Sequence, residues 1–291
     1  MSEYRELLPI AVEAVNRAAE AMRHRSPGAL TVKGDRDFAS ELDYAIERDM
    51  RAFLSAQTPD IGFLGEEEGR TGSADMQWVL DPIDGTANFV RRLPLCAVSL
   101  ALVHRTEAVL GVIELPFLAS RYTAARGDGA YANGQEIRVS STSEVGVAIV
   151  AIGDYAVGPD AEAMNRLRLA LTAQLAAEAQ RVRMTGSAAI DLAWLAEGRF
   201  DAALTLSNHA WDMAAGVVIA REAGAAVIDQ DGADHDVNSA VTLAATPALS
   251  DAVLAVYRKA ASAVDVVSHP LNRSGTVPDS PPPPAATGPT G

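Results

Sequence analysis

The stretch W-V-L-D-P-I-D-G-T-A-N-F, from Trp78 to Phe89, decides how the rest of the chain is read. Trp78, Val79 and Leu80 close an apolar run of strand length, and Asp81 stands where that run stops. Pro82 has a fixed φ and no N–H, so the ladder is expected to end there. Asp84 follows almost at once, and Gly85-Thr86 supplies a permissive backbone and a hydroxyl, which suits a tight turn presenting amides to an anion. Two carboxylates on a turn at the mouth of a strand, beside exposed amides, can hold a hard divalent cation against a phosphate. D-P-x-D by itself is common in solvated loops. The preceding strand and the Gly-Thr continuation give this copy its chemical meaning.

Upstream, I-G-F-L from Ile61 reads as a short strand that ends at Gly65 and the run Glu66-Glu67-Glu68. Rows of acids usually face water, but here the strand delivers Glu66 to its edge as the next strand delivers Asp81. Before it, Glu3 to His24 carries the periodicity of an amphipathic helix, with Arg23, His24 and Arg25 at the end where positive charge suits the dipole. A polar bridge from Thr31 leads into a second helix. Ser40 and Asp43 form its capping box, and Ile46, Met50, Phe53 and Leu54 its apolar face.

Downstream, residues 96–104 and 107–115 form two apolar runs with a short polar link, a hairpin by pattern. R-Y-T-A-A and Y-A-N-G-Q continue the sheet, with Asn133-Gly134 as a tight turn. The first half is thus two helices and a mostly antiparallel sheet. After Ser140–Ser143 strands and helices alternate: a strand in V-A-I-V-A-I, a helix over about 160–180, a short strand near Val182, and a helix after Gly186-Ser187 with Trp194 packed inward. F-D-A-A-L-T-L is a strand, and a helix runs from about Trp211 to Gly224. Strands at 226–228 and 241–245 and a helix at 249–258 complete the pattern. The expected division is an N-terminal α+β half over 1–140, a C-terminal α/β half over 141–259 and a Pro-rich, disordered tail over 260–291. Seven of the chain's 15 prolines lie between Pro270 and Pro289.

Composition narrows the function. At 291 residues and 48% hydrophobic the chain can bury a large core. A net charge of -14 argues against nucleic acid and anionic membrane as partners, so a phosphate substrate needs local help from metal or amides. The single cysteine, Cys96, excludes an intrachain disulfide and reads as a small buried hydrophobe. Neither a secretory signal nor a membrane span is legible, and the cytoplasm is the expected location.

Four acids stand out by setting: Glu66, Asp81, Asp84 and Asp212. Oxygen ligands without clustered cysteine or histidine suit Mg²⁺ or Mn²⁺ rather than zinc. Asp212, in W-D-M-A-A-G, fits a first-turn residue that favours the helix dipole equally well. Ala214, Ala215 and Gly216 allow close approach of a neighbouring backbone, and His209 fits a loop hydrogen bond as readily as a substrate contact.

Gly65–Glu67, Trp78–Phe89 and Trp211–Gly216, in this order and spacing, resemble the inositol monophosphatase family of metal-dependent sugar-phosphate phosphatases, over roughly residues 3 to 258. The resemblance implies an α+β fold layered α-β-α-β-α and a homodimer. It implies that Glu66, Asp81 and the Ile83 carbonyl hold one metal ion and that Asp81, Asp84 and Asp212 hold a second. Glu67 assists a weaker third. Thr86 and Asp43 resemble the pair that activates the attacking water, Gly85 and Thr86 bind phosphate, and Lys33 lies near a loop that is mobile in the family. On the substrate side, Asp84, Ala188 and Asp212 match. Thr205 stands where the animal inositol enzymes carry a glutamate, a departure that weakens the inositol assignment. The implied reaction is Mg²⁺-dependent hydrolysis of a small phosphate monoester, with inositol 1-phosphate ahead of histidinol phosphate and fructose 1,6-bisphosphate. A regulatory, non-catalytic protein of the same fold is the alternative of a different kind.

Overall fold

The computed structural model describes residues 3–206 and 208–268. A short 3₁₀ turn, Glu3–Leu7, leads into α1 (Leu8–His24). Next come β1 (Leu30–Gly34), β2 (Asp37–Ser40), α2 (Glu41–Gln57), β3 (Gly62–Gly65), β4 (Gly69–Thr71), β5 (Met76–Asp84) and the short α3 (Thr86–Val90). Strands β6 (Ala97–His104), β7 (Glu107–Leu115), β8 (Ser120–Ala125), β9 (Ala130–Ala132) and β10 (Gln135–Glu136) complete an eight-stranded sheet of order β10-β9-β8-β7-β6-β5-β3-β4. Alternate residues of its long strands face two layers of helix, so β6 and β7 are buried almost throughout.

The second half contains β11 (Ile149–Ile152), α4 (Ala161–Glu178), β12 (Arg181–Arg183), α5 (Ala188–Ala196), β13 (Ala202–Thr205), α6 (Ala210–Glu222), β14 (Ala226–Ile228), β15 (Thr242–Ala245) and α7 (Ser250–Ser268). Its sheet runs β12-β11-β13-β15-β14, parallel across the first three strands and antiparallel at β15 and β14. Helices α1 and α2 cover one face of the large sheet, and α5 and α6 fill the space between the two sheets. Helices α4 and α7 close the outer face of the small sheet, giving the expected α-β-α-β-α order. Packing around α6 is tight. A Cβ on Gly216 would stand 2.5 Å from Leu192 Cδ1, and one on Gly111 2.6 Å from the Ala215 carbonyl oxygen.

Three features differ from the sequence-based expectation. The bridge before α2 is a β1–β2 hairpin, although all of β1 is exposed and carries no burial pattern. The ladder does not stop at Pro82. Strand β5 continues through Asp84, pairing Asp81 with Ser99 and Asp84 with Ala97, so one extra residue forms a bulge where Pro82 needs no N–H partner. The last helix continues to Ser268 instead of stopping at 258. The Pro-rich segment beyond it lies outside the described residues.

Candidate active site

Strands β3 and β5 are parallel neighbours with Gly65 opposite Leu80, and the Glu66 amide donates to the Leu80 carbonyl at 3.2 Å. The first residue past each register pair is an acid, which puts Glu66 beside Asp81. The β5 bulge then turns Asp84 into the same crevice, and the N-terminus of α6 brings Asp212 from the other half of the chain. Asp81 and Asp84 are buried. Burial first, and then repulsion from Glu66, Asp84 and Asp212, raises the Asp81 carboxyl far above the usual carboxylate range. Burial lifts Asp84 to about 6, even though Ser187 Oγ and the Ala189 amide each donate to its Oδ2 at 2.6 Å. Asp212 is pushed to about 8 by burial and by Asp84 and Glu66. Glu67 is raised to about 7, chiefly by burial.

Lys33 reaches in from β1. Its Nζ donates to Glu66 Oε1 and to Glu67 Oε1, each at 2.7 Å. Burial alone would lower the lysine pKa, but those two carboxylates more than offset it and hold the ammonium charged.

Gly85 has φ +86°, a left-handed conformation that glycine adopts without a Cβ penalty, and it caps α3. A Cβ there would also meet the Leu95 and Gly186 carbonyl oxygens at 3.0 and 3.1 Å. Thr86 Oγ1 lies 3.1 Å from both Asp43 Oδ1 and the Ile83 carbonyl oxygen, so its one hydroxyl proton can go to either. Asp43 is fixed by the α2 capping box, accepting from the Ser40 amide at 3.0 Å and from the Ser40 hydroxyl. The Ile83 amide donates to Asp81 Oδ1 at 3.0 Å and orients the neighbouring carbonyl. Asp212 accepts from the His209 amide at 3.4 Å, and His209 stacks on Trp211 with centroids 4.8 Å apart, so the histidine has a local packing role.

Asp84, Asp212, Thr205, Gly186, Ser187 and Ala188 all line one open cavity of about 420 Å³. Two of the predicted acids, Asp84 and Asp212, thus share a cavity with the predicted substrate wall, while Asp81 lies behind them within the electrostatic reach of Glu66, Asp84 and Asp212. Among the described residues no group of three or more His, Cys, Asp or Glu side chains is arranged to enclose a metal ion as it stands. The donor set nevertheless suits a hard cation: the acids repel one another in a buried setting, and Glu67 Oε2 is buried without a hydrogen-bond partner.

Two contributors escaped sequence reasoning. Glu47, on α2, is fully buried. Its carboxylate accepts the Glu67 and Glu68 amides at 2.8 and 3.0 Å and Arg51 Nη2 at 2.6 Å. It fills the space where a Gly65 side chain would stand, since a Cβ there would be 2.2 Å from the Glu47 carboxyl carbon. The signal was present: Asp43 and Glu47 follow the same helical face as Ile46 and Met50. On the far side of α6, Asn208 Nδ2 donates to the Ser239 carbonyl at 2.9 Å and to Thr242 Oγ1 at 2.8 Å, anchoring the chain as it approaches Asp212. Buried His235 completes that cluster, its pKa lowered to about 4 by burial.

Residues 3–262 match the inositol monophosphatase family model. An inositol-1-monophosphatase of Mesorhizobium japonicum is 35% identical over 88% of this chain and 98% of its own. The Nus factor SuhB of Escherichia coli is 34% identical over 87% and 96%. The extragenic suppressor protein suhB of Bartonella henselae superposes with a TM-score of 0.81 at 30% identity, covering 87% of this chain and 99% of that one. The layered fold and its acid-lined cavity thus define a phosphatase of the sugar-phosphate type. More narrowly, the chain belongs to the inositol monophosphatase family.

Proposed function

We propose that the protein hydrolyses inositol 1-phosphate, or a closely related polyol phosphate, to the free alcohol and phosphate with Mg²⁺ as cofactor. The observation that carries this is the cluster of buried, mutually repelling acids near the Thr86–Asp43 hydroxyl–carboxylate pair, two of those acids, Asp84 and Asp212, also lining one cavity. The name of the Mesorhizobium relative supports the choice of alcohol. Glu66, Asp81, the Ile83 carbonyl, Asp84 and Asp212 would hold two ions, and Glu67 a third, with Mn²⁺ as the substitute metal. When bound, the cation supplies Lewis-acid neutralisation of the phosphoryl oxygens and of the leaving alkoxide.

The chain's own groups do the rest. Asp43 accepts the Thr86 hydroxyl proton, which leaves the Thr86 oxygen lone pairs facing the crevice to take a proton from the attacking water. Amides at the start of α3, behind Gly85, donate to the phosphoryl oxygens as negative charge builds. Water displaces the alcohol in line, and no side chain here is needed as a covalent nucleophile. Ser187 and the Ala189 amide fix Asp84 at the boundary between the phosphate and the alcohol.

The same reading takes the enzyme as a cytoplasmic homodimer acting on a small molecule; among the described residues no helix is long and apolar enough to cross a membrane. A regulatory, non-catalytic role has less support, because every one of the proposed metal-binding acids is retained. The test is phosphate release from inositol 1-phosphate with Mg²⁺, with EDTA, and in Asp81→Asn. The neutral amide removes charge from the acid common to both proposed ion sites. Activity is expected to fall by at least about a thousandfold in the mutant and to vanish in EDTA. Undiminished turnover in either arm refutes the metal-assisted mechanism.

A further inference from the structure

The cavity extends past the phosphate-binding turn into a wall made by residues just beyond β11. Gly153 follows the last β11–β13 register pair, Ile152 with Leu204, and therefore stands beside Thr205 at the end of β13. A Cβ on Gly153 would be 3.4 Å from Thr205 Cγ2, so glycine lets the two strand ends close together. The next residue, Asp154, enters the cavity that also holds Asp84, Thr205 and Asp212. Its carboxylate reaches over Gly186: a side chain on that glycine, which has φ +76°, would begin 3.5 Å from Asp154 Oδ2. Asp154 is thereby set against the same turn whose next residues, Ser187 and Ala189, hold Asp84.

Helix α4 builds this wall in advance. Asn165 makes a reciprocal pair with the backbone of Ala156, its Oδ1 accepting the amide at 2.6 Å and its Nδ2 donating to the carbonyl at 2.9 Å. Arg168 Nε donates to the Asp154 carbonyl at 3.2 Å. The hydroxyls of Tyr155 and Thr172 meet at 3.2 Å. Three successive residues are thus held to one helix, and a surface loop without a task has no need of such anchoring. Arg168 is itself buried and lines the cavity.

Resting on the phosphatase reading above, we propose that Asp154 is the carboxylate that accepts hydrogen bonds from the hydroxyls of the leaving alcohol and so favours polyhydroxylated alcohols that carry no second phosphate. The charges decide the class. A carboxylate acceptor on this wall suits hydroxyl groups, which can donate to it. A second phosphate meets the carboxylates of Asp154 and Asp84 and is disfavoured. Thr205 contributes a single hydroxyl beside Asp154. Asp154 is exposed at the cavity rim, and partial desolvation there raises its pKa.

The experiment compares kcat/KM for inositol 1-phosphate with that for p-nitrophenyl phosphate, in wild type, Asp154→Ala and Asp154→Asn, with Mg²⁺. Loss of a charge-assisted acceptor is expected to lower the ratio about tenfold in Asp154→Ala, with a smaller loss in Asp154→Asn and little change for the aryl ester. A ratio that does not move, or an equal fall for both esters, overturns the assignment and leaves the phosphatase reading standing. Wild-type preference for fructose 1,6-bisphosphate over inositol 1-phosphate also overturns it. If the wild type hydrolyses none of these esters, the phosphatase reading fails and this assignment fails with it.

Discussion

Glu47 offers the sharpest test of how the acid crevice is held open. Its carboxylate takes two backbone amides from the Glu66–Glu68 turn and ion-pairs with Arg51, whose side chain is 16% exposed. In Glu47→Gln the side-chain oxygen can keep one amide, but the second amide and the guanidinium lose a charged partner. Hydrogen bonds to charged groups are worth about 1.5–3 kcal/mol each, and a buried donor left unpaired costs about 1–3 kcal/mol. Loss of the pair with Arg51 adds less, because the guanidinium keeps the Gly69 carbonyl and the Thr71 hydroxyl as acceptors. The variant should therefore be about 2–4 kcal/mol less stable to urea, without a change in m-value. Its Mg²⁺-induced rise in Tm should shrink as well, because the turn that carries Glu66 and Glu67 is no longer fixed. Arg51→Gln, which keeps both amide bonds, is the control and should retain the Mg²⁺ response. A Glu47→Gln protein within about 0.5 kcal/mol of wild type, with an unaltered Mg²⁺ shift, would refute the claim that this buried acid organises the turn proposed to bind metal.

Stability should also depend on pH in an unusual direction. Asp84, Glu67 and Asp212 have folded pKa values of about 6, about 7 and about 8, all above the ordinary carboxylate range. The folded state therefore binds more protons than the unfolded chain, so the stability contributed by these groups is greatest in acid and is lost as pH rises through those values. In EDTA the free energy of unfolding should decline between about pH 5 and about pH 9, and Mg²⁺ should flatten the decline; denaturant titrations that rise over this range without metal would contradict the mechanism. Gly216→Ala tests the packing around α6. Its new methyl would fall 2.5 Å from Leu192 Cδ1, so a loss of about 1–3 kcal/mol is expected by calorimetry, and a neutral result would show that the α5–α6 interface can yield.

Glu66 and Asp81 were legible because each is the first polar residue after an apolar strand, and parallel pairing turns that local coincidence into proximity. The Ser40–Asp43 box was legible because both partners lie within one helical turn. Asp212 could be found only through its motif, since an acid at N3 of any helix satisfies the dipole. The β1–β2 hairpin escaped because its first strand is exposed along its whole length and shows no alternation. Glu47 escaped because an acid in mid-helix ordinarily faces water, and its burial follows from contacts with a turn some 20 residues away. Asp154 escaped for a related reason: the importance of a residue after a strand depends on which glycine it faces. In Gly186 that partner comes from a different segment of the chain. The extra β5 residue at Pro82 required knowledge of the neighbouring strand.

Helix α6 is enclosed from Met213 to Ala220 between two sheets, whereas β1 lies open to solvent and residues 154–156 edge the cavity mouth. The crevice consequently has one stiff jaw and one compliant jaw. Asp212 is mounted on the stiff side, where displacement would require both sheets to part. Lys33 stands on a surface hairpin that can shift at far lower cost in packing. Any displacement in the crevice therefore falls first on the β1–β2 hairpin, while the acid at the start of α6 provides the fixed reference against which it is measured.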